Sequence, residues 1–188
     1  MKFIHLSDTH ILARDDYSRH PDAAATLGKI IGEINKYHRD AEICVITGDI
    51  THHGHPEQYE QAIAILGDLA IPYILIPGNH DERAAFKQAF PDTPVDENGF
   101  INHGHTFGGI RFVMVDSIVP GAHHGTLCEQ RLDWLRDELT AHKGTPTFLF
   151  MHHPPFEMGL PFMDTIRFAT ISISSSLNCK CDQAAWVA

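Results

Sequence analysis

Tyr73-Ile74-Leu75-Ile76-Pro77-Gly78-Asn79-His80-Asp81 is an apolar run that stops abruptly at a cluster of polar donors. Three other stretches have the same grammar. Phe3 to Leu6 runs into Asp8-Thr9-His10, Ile43 to Thr47 runs into Gly48-Asp49, and Phe148 to Met151 runs into His152-His153-Pro154. Continuous apolar, β-branched runs are the mark of strands buried on both faces, and in open α/β sheets the C-terminal edge of such strands is where ligands sit. Four strand ends are therefore expected to aim oxygen and imidazole groups at one place.

Outward from these clusters the chain alternates. A strand over Lys2 to Ser7 is followed by a loop over Ile11 to Pro21. Asp22 is placed to cap a helix running to about Tyr37, with Leu27, Ile30, Ile31 and Ile34 at helical spacing. After the strand Ile43 to Thr47 and the loop Thr51 to Pro56, a second helix is predicted from about Glu57 to Leu69, with Tyr59, Ala62, Ile63 and Leu66 inward. The strand Tyr73 to Ile76 then precedes a short helix, Arg83 to Phe90, and a turn over Pro91 to Pro94. Strand and helix in alternation imply parallel strands in a layered α/β fold. From Gly99 a second sheet is expected: Phe100 to Asn102, a Gly108-Gly109 hairpin turn, and Ile110 to Asp116. A helix over Glu129 to His142, apolar through Leu132, Trp134, Leu135 and Leu139, leads to the strand Thr147 to Met151.

Carboxylate, amide oxygen and neutral imidazole together suit first-row divalent ions such as Mn, Fe, Co or Zn. None of the four clusters contains cysteine. Two such ions bridged by one carboxylate form a clamp for in-line attack on phosphorus, and an aspartate directly after a buried strand, with both oxygens facing outward, is a good bridge. At these residues the sequence resembles the calcineurin-like metallophosphoesterases, whose pattern is Asp-x-His, Gly-Asp, Gly-Asn-His-Asp/Glu, a later His and a closing Gly-His-x-His. Gly125-Thr126-Leu127, Gln130 to Leu135 and Gly159 to Ile166 extend the likeness to class III cyclic-nucleotide phosphodiesterases and bacterial glycerophosphodiesterases, over roughly residues 1 to 168.

The resemblance implies a four-layer αββα sandwich and a phosphodiesterase in which a metal-bridging hydroxide attacks a cyclic nucleotide or small phosphodiester. It implies that Asp8 and His10 bind the first metal, that Asp49 bridges, and that Asn79 and His152 bind the second. His80 is expected to serve the developing charge or the leaving alkoxide as a catalytic group, and Asp81 to orient the His80 ring. His153 reads as a packing residue or an outer partner of a ligand. His52, His53 and His55 follow the bridging aspartate, either as substrate contacts or as solvated loop, and His123 and His124 lie on a glycine-rich loop. Gly104-His105-Thr106-Phe107 half resembles the closing motif, but it precedes His152 and lacks the second histidine.

The closing Gly-His-x-His itself is absent from the sequence. Residues 169 to 188 read as an atypical tail, with neither helical periodicity nor turn punctuation, after an incomplete domain over 1 to 168. A frameshift or early junction near residue 168 would produce such a text. A competing expectation follows, a catalytically impaired half-site that binds metal weakly, with exposed apolar edges that invite homo-oligomers or aggregation.

With 188 residues, 43% of them hydrophobic, the chain has a one-domain length and material for a core. Its 14 basic and 24 acidic residues, a formal charge of −10, argue against a broad nucleic-acid or anionic-membrane footprint and so against a nuclease of the same superfamily. No apolar segment approaches the roughly 18 residues of a membrane span, and a soluble, cytoplasmic protein is expected. Cys44, Cys128, Cys179 and Cys181 lack framework spacing and fit reduced thiols.

Overall fold

A computed structural model describes residues 1–13 and 22–168 with their side chains, and residues 184–187 through the backbone. The chain divides into two compact units, Met1–Thr93 and Pro94–Ala188.

The first unit is built on a three-stranded parallel sheet in the order β1 (Phe3–Leu6), β2 (Ile43–Thr47), β3 (Tyr73–Ile76). All five residues of the central strand β2 are buried, as a continuous apolar run requires. Between the strands run α1 (Ala23–Tyr37) and α2 (Pro56–Leu66), and α3 (Arg83–Ala89) follows β3. Asp22 caps α1 through Oδ1, which accepts from the Ala25 N–H at 2.9 Å. Leu27, Ile31 and Ile34 form the buried stripe of α1, whereas Ile30 is 38% exposed. In α2 the inward residues are Tyr59, Ala62 and Leu66, with Ile63 turned out. Both corrections follow from helical geometry, because the two isoleucines sit at the margin of an apolar stripe that three residues already fill. Tyr59, Phe86 and Phe90 pack edge to face or tilted, at centroid distances of 5.1 to 6.2 Å.

Ile11, expected to begin a loop, is instead fully buried and pairs with Thr51 in an isolated bridge. The rest of that loop, from residue 14, lies outside the described residues.

The second unit holds a four-stranded sheet in the order β4 (His103–Phe107), β5 (Ile110–Val115), β6 (Thr147–Met151), β7 (Ala184–Val187). β4 and β5 form an antiparallel hairpin across Gly108 and Gly109, both at positive φ. The remaining pairs are parallel. The first strand of this sheet is therefore His103–Phe107 and not Phe100 to Asn102. Asp96 explains the difference: Oδ1 accepts from the N–H groups of Asn98 and Phe100, both at 2.9 Å, and Oδ2 accepts from Asn102 Nδ2 at 2.7 Å. That network folds the segment into a turn. α4 (Glu129–Ala141) contributes Leu135 to a core cluster with Val113, Val115, Leu127, Leu149, Met151 and Phe168, flanked by Leu132, Trp134 and Leu139. A short α5 (Met163–Ile166) follows. Within the stretch expected to be an irregular tail, residues 184–187 form β7, while 169–183 lie outside the described residues. No helix of the described residues is long and apolar enough to cross a membrane.

Candidate metal centre

The C-terminal ends of β1, β2 and β3 all open on the same edge of the first sheet, and there the sequence places its donors. Three of these residues have left-handed backbones: Asp8 (φ 57°), His10 (φ 44°) and Asp49 (φ 48°). Among the described residues they are the non-glycine positions with positive φ. A side chain held there costs on the order of 1–3 kcal/mol, and such conformations persist where the surroundings over-determine them. Those surroundings are hydrogen bonds between the two strand ends. The Asp8 N–H donates to the Gly48 carbonyl at 3.1 Å, that of His10 to the Asp49 carbonyl at 2.9 Å, and that of Ile11 to the Ile50 carbonyl at 2.9 Å.

The result is a convergence of donors. His10 Nε2 lies 3.7 Å from Asp8 Oδ1 and 3.6 Å from Asp49 Oδ2. Asp8, first, and Asp49 raise the pKa of His10 against the lowering effect of its partial burial. The Asp49 carboxylate is nearly buried, at 5% exposure. Its two oxygens do not both face outward, as the sequence suggests. Oδ1 accepts the His80 N–H at 2.8 Å, while Oδ2 faces the His10 and His80 rings, 4.0 Å from His80 Nε2. Gly78 is required for this approach, because a Cβ there would run into the Asp49 carboxylate and backbone nitrogen. Asn79 and His80, both half-buried, follow on the same turn after β3. His80 Nδ1 donates to the His52 carbonyl at 2.9 Å, which leaves Nε2 on the side of Asp49.

Asp81 takes a different place from the one expected. It does not hold the His80 ring. Its Oδ1 accepts from the Thr51 N–H (3.0 Å), the Thr51 hydroxyl (2.9 Å) and the Tyr59 hydroxyl (3.0 Å). Its Oδ2 accepts from the N–H groups of Ile50 and Gly78, both at 3.0 Å. Burial pushes its pKa up, the three backbone N–H groups pull it down, and Asp49 adds to the rise. Asp81 thus ties the turn after β2 to the turn after β3. Tyr59, which sequence periodicity assigns simply to an apolar face, is buried in that knot with Thr51 and Asp81, and its hydroxyl accepts in turn from the Glu82 N–H at 3.1 Å.

His152 closes β6 in the second unit, and His153 beside it is fully buried, its Nδ1 2.7 Å from the Ser117 hydroxyl. Burial, chiefly, pushes the His153 pKa down to about 3, so the ring is neutral and serves packing. Oxygen and imidazole donors in this combination fit divalent first-row ions, and the separations in the first unit leave room between them for an ion.

A family model described as calcineurin-like phosphoesterase matches residues 1–173. Among curated proteins, one of Rhodopseudomonas palustris named as a probable cyclic nucleotide phosphodiesterase is 41% identical over 172 residues, covering 90% of this chain and 63% of its own length. The glycerophosphodiester phosphodiesterase of Enterobacter lignolyticus is 32% identical, over 88% of this chain and 61% of its own. A cAMP/cGMP dual specificity phosphodiesterase of Mycobacterium tuberculosis is 30% identical, over 87% and 53%. The chain thus spans between about half and two thirds of the length of these relatives. A purple acid phosphatase from yellow lupin (Lupinus luteus) superposes with a TM-score of 0.55 at 17% identity, over 82% of this chain and 30% of that one, a likeness of fold.

Proposed function

The chain belongs to the calcineurin-like phosphoesterase family, and on that footing we propose that it is a metal-dependent phosphodiesterase acting on a cyclic nucleotide or a small phosphodiester such as a glycerophosphodiester. The observation that carries this reading is the convergence of Asp8, His10 and Asp49 from two adjacent strand ends, each with a left-handed backbone. We assign Asp8 and His10 to one divalent ion, Asp49 to both as the shared carboxylate, and Asn79 to the other, to which the family resemblance also assigns His152. Ions held there would supply polarisation of a phosphoryl oxygen and a lowered pKa of bound water.

The protein's own groups do the rest. Asn79 contributes a neutral amide oxygen, which binds without cancelling the charge that makes the ion useful. His80 gives its Nδ1 proton to the His52 carbonyl, so Nε2 is its other ring nitrogen, and only when Nε2 is itself protonated would it hand a proton to a phosphoryl oxygen or the leaving alkoxide. Asp81 acts at one remove, by fixing the two turns that carry Asp49 and His80. The names of the relatives favour small phosphodiesters, and the formal charge of −10 favours them over polynucleotides.

The test is metal stoichiometry by elemental analysis, alongside hydrolysis of bis(p-nitrophenyl) phosphate, 3′,5′-cyclic AMP and glycerophosphoethanolamine with added manganese. A shared carboxylate predicts that Asp49→Ala loses both ions, whereas His10→Ala chiefly weakens one. Equal stoichiometry in the two variants would remove the sharing role. Manganese-independent hydrolysis would remove the mechanism.

A further inference from the structure

His52 occupies a place that none of the motif residues foretells. Its N–H donates to the Ile11 carbonyl at 3.0 Å, and the preceding residue, Thr51, gives both its N–H and its hydroxyl to Asp81. The backbone is therefore held on both sides, and the ring is set against three others, His53 edge-on at 4.5 Å as well as His10 and His80. Its Nδ1 lies 3.4 Å from His10 Nδ1. The His52 ring stacks on His80 at 5.1 Å and 27° and meets His10 edge-on at 5.3 Å, while His10 and His80 are 4.8 Å apart. One ring nitrogen from each of the three residues lies within 4.8 Å of the other two.

The nitrogens are distinct. His10 presents Nε2 to the carboxylates of Asp8 and Asp49 and Nδ1 to His52. His80 gives Nδ1 to the His52 carbonyl, so Nε2 is its ligating atom. A tetrahedral zinc site with Zn–N bonds of about 2.0–2.1 Å sets neighbouring ligand nitrogens roughly 3.4 Å apart. The His10–His52 pair already has that spacing.

We propose that His10 Nδ1, His52 Nδ1 and His80 Nε2 form a three-imidazole metal position beside the carboxylate-lined one, with Asp49 Oδ2 4.0 Å from His80 Nε2, that takes a borderline transition ion such as Zn2+, Cu2+ or Ni2+ in preference to Mn2+ or Mg2+. Imidazole sets favour the former ions, and oxygen-rich sets the latter. Because His10 serves the two positions through opposite nitrogens, they compete. An ion at the nitrogen position also occupies His80, so excess zinc inhibits. That last consequence rests on the proposed function, whereas the binding does not.

Calorimetric titration of the full chain with Zn2+ and, separately, with Mn2+ tests the proposal, with nitrogen coupling in the Cu2+ spin-echo spectrum as an imidazole count. His52→Ala is expected to lose Zn2+ affinity by at least about tenfold and one coupled imidazole, while Mn2+ affinity stays within about twofold. Asp49→Ala is expected to lose Mn2+ and retain the Zn2+ position. Unchanged Zn2+ affinity in His52→Ala would overturn the proposal. So would parallel loss of Zn2+ and Mn2+, which would make His52 a support for His10 and not a ligand. Fewer than three imidazoles on Cu2+ in the unsubstituted chain would overturn it without any variant. If zinc binds as described but manganese supports no phosphodiester hydrolysis, the proposed function fails alone.

Discussion

At the scale of single residues, the Asp81 carboxylate is buried and accepts from three backbone N–H groups and two hydroxyls. Removing an acceptor that satisfies several buried donors strands each of them, at roughly 1–3 kcal/mol per donor before relaxation or water entry. Asp81→Ala is therefore expected to destabilise the chain by about 3 kcal/mol or more, read as a lower urea midpoint in the presence of a chelator. Tyr59→Phe removes a single donor and should cost about 1 kcal/mol. Loss of metal affinity in Asp81→Ala without loss of chelated-state stability would show that Asp81 is a ligand and not a tie. The sequence names Asp81 through its motif but not this role, because its partners Thr51 and Tyr59 come from a loop and a helix face that no local pattern links to it. The sequence places His52 on the loop after Asp49 but, for the same reason, not against the His10 and His80 rings. The strand-end placement of Asp8, His10, Asp49, Asn79 and His80 is legible because each follows a continuous apolar run that forms a strand, fully buried in β2 and half-buried in β1.

Among the elements, β2, β3 and β6 are readable to the residue, since a strand buried in a parallel sheet is a continuous apolar run with sharp ends. β4 is not readable. His103-Gly104-His105-Thr106-Phe107 has one apolar side chain, and its strand character comes from pairing with β5. Gly104 has a second function there: a Cβ would meet the Arg111 guanidinium and the Glu138 carboxylate, which are paired at 2.6 Å between β5 and α4. Gly104→Ala should displace the ends of these two flexible side chains at a cost of about 1 kcal/mol or less, measurable by thermal melting. His105 gives the hairpin a pH dependence. Burial first, and the Arg111 charge second, hold its pKa below 6.5. A depressed histidine pKa means that the stabilisation is full above about pH 6.5 and is lost as pH falls towards the folded-state value. Urea unfolding at pH 7.5 and 5.0 should show a larger loss for the parent chain than for His105→Gln, and equal losses would exclude His105 as the source.

For the whole molecule, a bound ion would couple to folding. Asp8, His10 and Asp49 are brought together by the folded loops, with two carboxylates converging and three backbones in a costly conformation. The unfolded chain offers no such site, so an ion that binds the folded state stabilises it by mass action. At an ion concentration one hundred times the dissociation constant the gain is about 2.7 kcal/mol. For a chain of this length each kcal/mol moves the melting temperature by about 2–4 °C, so manganese should raise the midpoint by roughly 5–11 °C. A chelator should reverse the shift, and Asp49→Ala should abolish it while folding in its own right. Zinc should stabilise as well, but in His52→Ala its effect should shrink relative to that of manganese. A melting temperature indifferent to manganese would mean that these donors do not bind it in the folded chain. An equal manganese shift in Asp49→Ala would place the stabilising ion elsewhere among the acidic residues.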